Sequence, residues 1–225
     1  SFVTNYNETL SDLIWCGIEM HEKYQNRTVN PDKKVINGNF ENLYFGFVKG
    51  ALGYSSIFNK MFQRCILTEN QIQFDEQLSS SEDMKFVLDY LRFVKSVSFI
   101  PAANYIYMYQ ENSITHKFNE NQMINHIIWR DIIEQNRLYY TEKDISHLLD
   151  LKTMEELMSY TNNAIDNRCR LTYKKISQII CTRKLWDSVK ITEIKGLLSK
   201  LFYISVKCNN LGIYSLLYKL RNMMR

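Results

Sequence analysis

From Asn119 onward the chain changes character. Residues 120–140, 143–168, 171–186, 191–207 and 210–225 carry apolar residues at helical spacing, joined by short polar links, and none shows strand alternation. Amphipathic segments in such a series bury their stripes against one another, so the second half is expected to be all helical. The first half is mixed. Asp12-Leu-Ile-Trp-Cys-Gly-Ile-Glu19 is a short apolar run closed by charges and reads as a buried strand, parallel and central in its sheet. His21 to Gly38 is polar, holds Pro31 and reads as a loop, whereas Asn39–Leu52 and Ser55–Leu67 read as two helices broken at Gly53. Ser79 and Glu82 have the spacing of a capping box, ahead of Met84, Val87, Leu88 and Leu91 at helical spacing. Val97–Ile100 and Tyr105–Tyr109 read as two strands separated by Pro101. A boundary is expected near residue 118, giving an α/β segment over 1–118 and a helical segment over 119–225, helix-rich overall.

Punctuation is scarce, with two prolines and seven glycines in 225 residues, too few for a turn-dense all-β fold. A composition 45% hydrophobic and 23% charged excludes disordered, collagenous and low-complexity classes. The net charge of +4 is too mild to imply nucleic acid, but it is unevenly spread. Residues 183–225 hold nine basic and two acidic side chains, a local charge of +7, which suggests an anionic surface as partner. The final segment, with apolar residues at 213, 216, 217, 220 and 224, can lie on an anionic membrane or pack on its own bundle.

Cys16, Cys65, Cys169, Cys181 and Cys208 are odd in number, widely spaced and without a C-x-x-C pair, which suits free thiols. No stretch reaches 18 uncharged apolar residues, so no spanning helix is expected. Ser1 to Thr9 has no signal-peptide architecture and no initiator methionine, and the chain is expected to begin inside a longer protein. There is no phosphate-binding or dinucleotide glycine loop, no H-E-x-x-H and no G-x-S-x-G. His21, His116, His126 and His147 are isolated from one another, which leaves nucleophile-plus-histidine catalysis without local support.

Four segments between residues 11 and 115 carry a resemblance. Ser11-Asp-Leu-Ile-Trp-Cys-Gly17 is similar to a strand pattern A-D-L-V-x-C-G. Phe58-Asn-Lys-Met-Phe-Gln-Arg64 is similar to W-N-K-L-Y-R-R. Ile72-Gln-Phe-Asp-Glu76, leading to Ser81-Glu-Asp-Met-Lys-Phe86, is similar to an F-x-E/D run before G/S-E-D-x-x-F. Ala103 to Thr115 matches L-Y-x-Y-x-x-R-x-x-S-I-S, with Gln110 where arginine is frequent. In this order and with these gaps, the region resembles the second half of the catalytic domain of glycosyltransferase family 2, the inverting enzymes of GT-A fold. The match covers about half of the chain.

The resemblance implies a partial GT-A-like α/β segment from a bacterial-type enzyme that builds surface polysaccharide at the cytoplasmic face of the membrane. Its donor would be a nucleotide sugar and its acceptor a glycan or lipid-linked glycan, with no nucleic acid involved. Asp83 would be the general base on the acceptor hydroxyl. Glu82, Asn59, Lys60, Asn112 and Ser113 would bind substrate, and His116 would be a candidate ligand to a divalent cation, Mg²⁺ or Mn²⁺. The bland readings are a first-turn acid for Asp83, favoured there by the helix dipole, a polar helix face for Asn59 and Lys60, and a turn cap for Asn112 and Ser113. Tyr105, Tyr107 and Tyr109 alternate at strand period, suiting core packing or sugar stacking. No Asp-x-Asp occurs in the chain, so the main metal and diphosphate ligands of the resemblance are missing. The chain is accordingly expected to be the acceptor-side half of a transferase and inactive by itself. The alternative is a non-catalytic helical binding or membrane-docking module.

Overall fold

The apolar run after Asp12 is the centre of a mixed sheet. A computed structural model describes residues 1–21, 26–32, 34–110, 122–167, 178, 185–186, 188–208 and 210–223. They fall into two units, 1–117 with 131–142, and 118–130 with 143–225.

In the first unit, strand β1 (Leu13–His21) is buried from Leu13 to Ile18. It runs parallel to β5 (Ser96–Met108). Its other edge is shared by two antiparallel partners, β4 (Lys60–Phe62) along Leu13–Trp15 and β2 (Asn26–Val29) along Ile18–His21. Strand β3 (Lys34–Asn37) lies antiparallel to the start of β5, giving the order β2-β1-β5-β3. Helix α1 (Phe2–Thr9) is capped by the Ser1 hydroxyl, which accepts from the Thr4 N–H at 3.2 Å. Its Phe2 and Tyr6 cover Ile14, Cys16 and Ile100 on one face of the sheet. On the other side of β1, Trp15 meets Phe47 of α2 (Glu41–Val48), with ring centroids 6.3 Å apart. A short helix α3 (Arg64–Glu69) leads towards α4 (Glu82–Leu91), which buries Met84, Phe86, Val87, Leu88, Tyr90 and Leu91. The Tyr90 hydroxyl ties α4 to the sheet, donating to Asp12 O at 2.7 Å and accepting from Gln63 N–H at 2.8 Å.

Several sequence expectations are corrected here. The polar stretch His21–Gly38 supplies β2 and β3, because their backbones complete edges of a sheet whose interior lies elsewhere and their side chains need not be apolar. Ser55–Leu67 is not one helix: Lys60–Phe62 pairs with β1, and helix begins only at Arg64. Tertiary pairing overrides the helical spacing of Ile57, Met61 and Ile66. Val97–Ile100 and Tyr105–Tyr109 are not separate strands but lie along a single strand to Met108. Pro101 and Ala102 form a bulge where the register steps from Cys16↔Ile100 to Gly17↔Ala103, a position that spares proline a ladder hydrogen bond. Gly17 sits opposite this bulge, and a Cβ there would lie 2.4 Å from Asn30 Oδ1. The capping box does not form either. Ser81 is the N-cap, at φ 62° and without a side-chain cap hydrogen bond.

Helix α5 (Gln122–Asn136) contributes residues to both units. In the first, the Tyr44 hydroxyl donates to Ile133 O at 2.7 Å, and Arg92 donates to Asn136 Oδ1 at 2.6 Å. A 3₁₀ turn at Arg137–Tyr139 follows, and the next residue, Tyr140, stacks on Tyr44 at 5.2 Å. In the second unit, α6 (Ser146–Asp166), α7 (Leu197–Lys207) and α8 (Leu211–Met223) close over Leu157, Tyr160, Trp186, Phe202, Val206 and Tyr214. An ion pair joins half-buried Arg130 to buried Asp150 at 2.8 Å, and the Ser188 hydroxyl donates to the same carboxylate at 2.7 Å. Most of the segment 171–186, expected to be helical, lies outside the described residues.

Candidate functional site

Four consecutive residues, Ile57 to Lys60, touch four different parts of the first unit. The Ile57 backbone N–H lies near the Asp83 carboxylate on α4 and favours its charged form. The Phe58 ring stacks on Tyr105 of β5 at 4.2 Å and lies 6.1 Å from Tyr107. Asn59 grips β1: its Nδ2 donates to Cys16 O at 3.0 Å, and its backbone O accepts from Cys16 N–H at 2.9 Å. Lys60 places its ammonium 3.8 Å from the centroid of the Trp15 ring.

Lys60 is buried, and all three of its donors stay inside the protein. They go to Gly53 O at 2.7 Å, Ser56 O at 2.5 Å and Asn59 Oδ1 at 2.9 Å. Asn59 Oδ1 also accepts from the Ser56 hydroxyl at 3.1 Å. The amide and the ammonium thus staple the loop after α2 onto β1, and these hydrogen bonds are spent on protein atoms. Burial holds the Lys60 ammonium well below the usual lysine range, with Cys16 and Asp83 pulling the other way. Burial likewise raises the Cys16 thiol.

Asp83 is half-buried in the first turn of α4, next to Glu82. Burial pushes its carboxyl above the usual range and the neighbouring Glu82 adds to the rise, against the Lys60 charge and the Ile57 N–H. A carboxylate raised in this way is a stronger base than a free one.

Asn59→Ala is expected to lower the unfolding free energy by about 2–4 kcal/mol, because it strips an acceptor from a buried ammonium and a donor from Cys16 O. Urea denaturation of both chains measures it, and a loss below about 0.5 kcal/mol would show that the staple is not needed.

Of the residues singled out from sequence, Asn59 and Lys60 are hydrogen-bonded to each other, Glu82 and Asp83 adjoin in the first turn of α4, and the Asp83 carboxyl feels the charges of Glu82 and Lys60. Asn112, Ser113 and His116 lie outside the described residues. Sequence reading missed Trp15, Phe58 and the Ile57 N–H as parts of the same arrangement. The signal for Phe58 was present, since it occupies the aromatic position of the W-N-K-L-Y-R-R pattern. The other two depend on the pairing of β4 with β1. Among the described residues, no group of three or more His, Cys, Asp or Glu could hold a metal ion.

No protein-family model matches the chain, and no curated protein sequence does. Among solved structures it resembles the crystal structure of S. aureus TarS residues 1–349 in complex with UDP-GlcNAc, with a TM-score of 0.54 and 14% sequence identity. The likeness covers 99% of this chain and 63% of that one. The fold is GT-A-like and partial. At 14% identity the likeness is one of fold, and the chain spans less than two thirds of the TarS chain it matches. Within this GT-A-like frame, Asp83 and the Ile57–Lys60 segment sit on the unit that contains the sheet.

Proposed function

We propose that this chain is the acceptor-side part of an inverting glycosyltransferase that uses a nucleotide-sugar donor, with Asp83 as its general base. The observation that carries the reading is the state of Asp83. A half-buried first-turn carboxylate is pushed towards basicity by burial and by Glu82, against the opposing influence of Lys60 and the Ile57 N–H. The GT-A-like fold supports the reading, and TarS, which shares it, is solved with UDP-GlcNAc. In the proposed step the acceptor hydroxyl gives its proton to Asp83 as its oxygen attacks the anomeric carbon. The bond from that carbon to the nucleotide diphosphate breaks on the opposite face, and the configuration inverts. Asp83 then returns the proton to solvent. Lys60 and Asn59 act as positioning residues, holding the Ile57–Phe58 stretch against α4 and β5. The acceptor would be a glycan or a lipid-linked glycan.

The donor would be held chiefly by a nucleotide-binding unit with Asp-x-Asp, which this sequence does not contain. Titration calorimetry of the chain with UDP-GlcNAc and Mn²⁺ is therefore expected to show no saturable binding in the micromolar range. A micromolar dissociation constant would overturn the division into donor and acceptor halves.

A further inference from the structure

Helix α8 has two apolar faces where a bundle helix needs one. Leu211 and Tyr214 are buried in the core of the second unit. Ile213, Leu216, Leu220 and Met223 fall on a different stripe and are 58%, 61%, 47% and 82% exposed. The stripe adjoins a cavity of about 730 Å³ between α6, α7 and α8, lined by Met158, Leu197, Leu201, Leu217, Leu220 and Arg221 among others. Leu197 at its mouth is 74% exposed.

Charge says what kind of partner fits. From Gly196 to Met223 the chain carries Lys200, Lys207, Lys219 and Arg221 and no acidic residue. Lys219 and Arg221 lie on opposite flanks of the apolar stripe. The nearest carboxylate known to face this helix, Asp166 of α6, accepts from the Tyr218 hydroxyl at 3.0 Å. Among the described residues no helix is long and apolar enough to cross a membrane. An apolar stripe flanked by cations lies in the plane of an anionic interface, with long basic side chains reaching the headgroups.

We propose that the α7–α8 face docks on an anionic phospholipid bilayer. The stripe 213/216/220/223 enters the acyl boundary, Lys219 and Arg221 meet headgroup phosphates, and the adjoining cavity receives a lipid acyl chain. This surface is independent of Asp83 and of the transferase reading.

The test is co-sedimentation of the chain with vesicles of phosphatidylcholine alone and with vesicles containing roughly a third phosphatidylglycerol, whose negative surface potential attracts basic side chains. Binding is expected only to the anionic vesicles, falling about tenfold or more between 50 and 300 mM salt, as for exposed charges screened over roughly 10 Å. Leu216→Ser/Leu220→Ser and, separately, Lys219→Glu/Arg221→Glu are each expected to cut partitioning at least about tenfold. These side chains are largely surface groups, and circular dichroism with a thermal melt confirms that each variant is folded. Three results would overturn the proposal. One is no binding to anionic vesicles, and another is binding unchanged in both folded variants. The third is a parent chain that dimerises in sedimentation velocity and loses dimerisation, rather than vesicle binding, in the leucine variant, which would assign the face to a second copy.

Discussion

Asp83→Asn, made in the full-length transferase proposed here, is expected to lose about 10²–10⁴-fold in turnover while folding normally, since a positioned general base contributes that much. The amide is close in size to the carboxylate, keeps an acceptor oxygen on the side of the Ile57 N–H, and leaves the buried apolar face of α4 untouched. Donor affinity should stay within about twofold, because the base acts on the acceptor hydroxyl. The parent enzyme supplies a second readout. Asp83 must be ionised to take a proton, and its folded-state affinity for protons is raised, so activity is lost as pH falls through a value above the ordinary carboxylate range. Glu82→Gln removes one cause of that rise. It should move the acidic limb of the pH–rate profile downward with little change in the plateau. Initial rates, donor affinity and pH profiles of the three proteins decide the matter. Near-parental turnover in Asp83→Asn would make Asp83 a first-turn acid whose role is confined to the helix dipole.

Trp15→Ala is expected to cost about 3–5 kcal/mol, the range for emptying a large aromatic site in a packed core. That is a large part of the roughly 5–15 kcal/mol that holds a domain folded. The ring is 4% exposed, stacks on Phe99 at 5.5 Å, meets Tyr54 edge-on at 4.8 Å and supports the Lys60 ammonium from below. Its loss opens a void and removes the electron-rich face over which a buried cation rests. Trp15→Phe should recover about half of the loss, because an aromatic face remains. Urea midpoints with unchanged slopes measure both. A loss below about 1 kcal/mol for Trp15→Ala would mean that the surrounding rings close the gap.

What the sequence revealed divides along physical lines. The core of β1 was legible because six consecutive buried positions leave only apolar residues and a glycine, and α4 because Met84, Val87, Leu88 and Leu91 repeat at one period. Asp83 was singled out through its motif, which gives its neighbours but not the raised proton affinity; that comes from burial with Glu82 adding to it, and it is opposed by Lys60 and Ile57, a loop away. The edges of the sheet were not legible. Asn26–Val29 and Lys34–Asn37 are largely exposed, so nothing in their side chains distinguishes them from loop, and their strand character resides in backbone pairing. Lys60–Phe62 was concealed by a lysine at a buried strand position, which reads as surface unless its three acceptors are known. Helix α1 was missed because polar Thr4, Asn5, Asn7 and Glu8 interrupt an apolar pair, Phe2 and Tyr6, too short to register as periodic.

The Ile57–Lys60 stretch also determines where this protein can change its length. Adjacent residues there engage α4, β5, β1 and the Trp15 ring in strict succession. One extra residue between Phe58 and Asn59 would move every later side chain to its neighbour's post, with the amide facing the ring and the lysine in the place of Met61, against Ile14, Cys16 and Ile100. A few positions earlier, Lys49 and Gly50 are exposed, and a lengthened loop there adds only a slowly growing closure entropy. Insertions and deletions accumulated by related chains should therefore gather at the start of the connection between α2 and β4 and be absent from Ile57–Lys60.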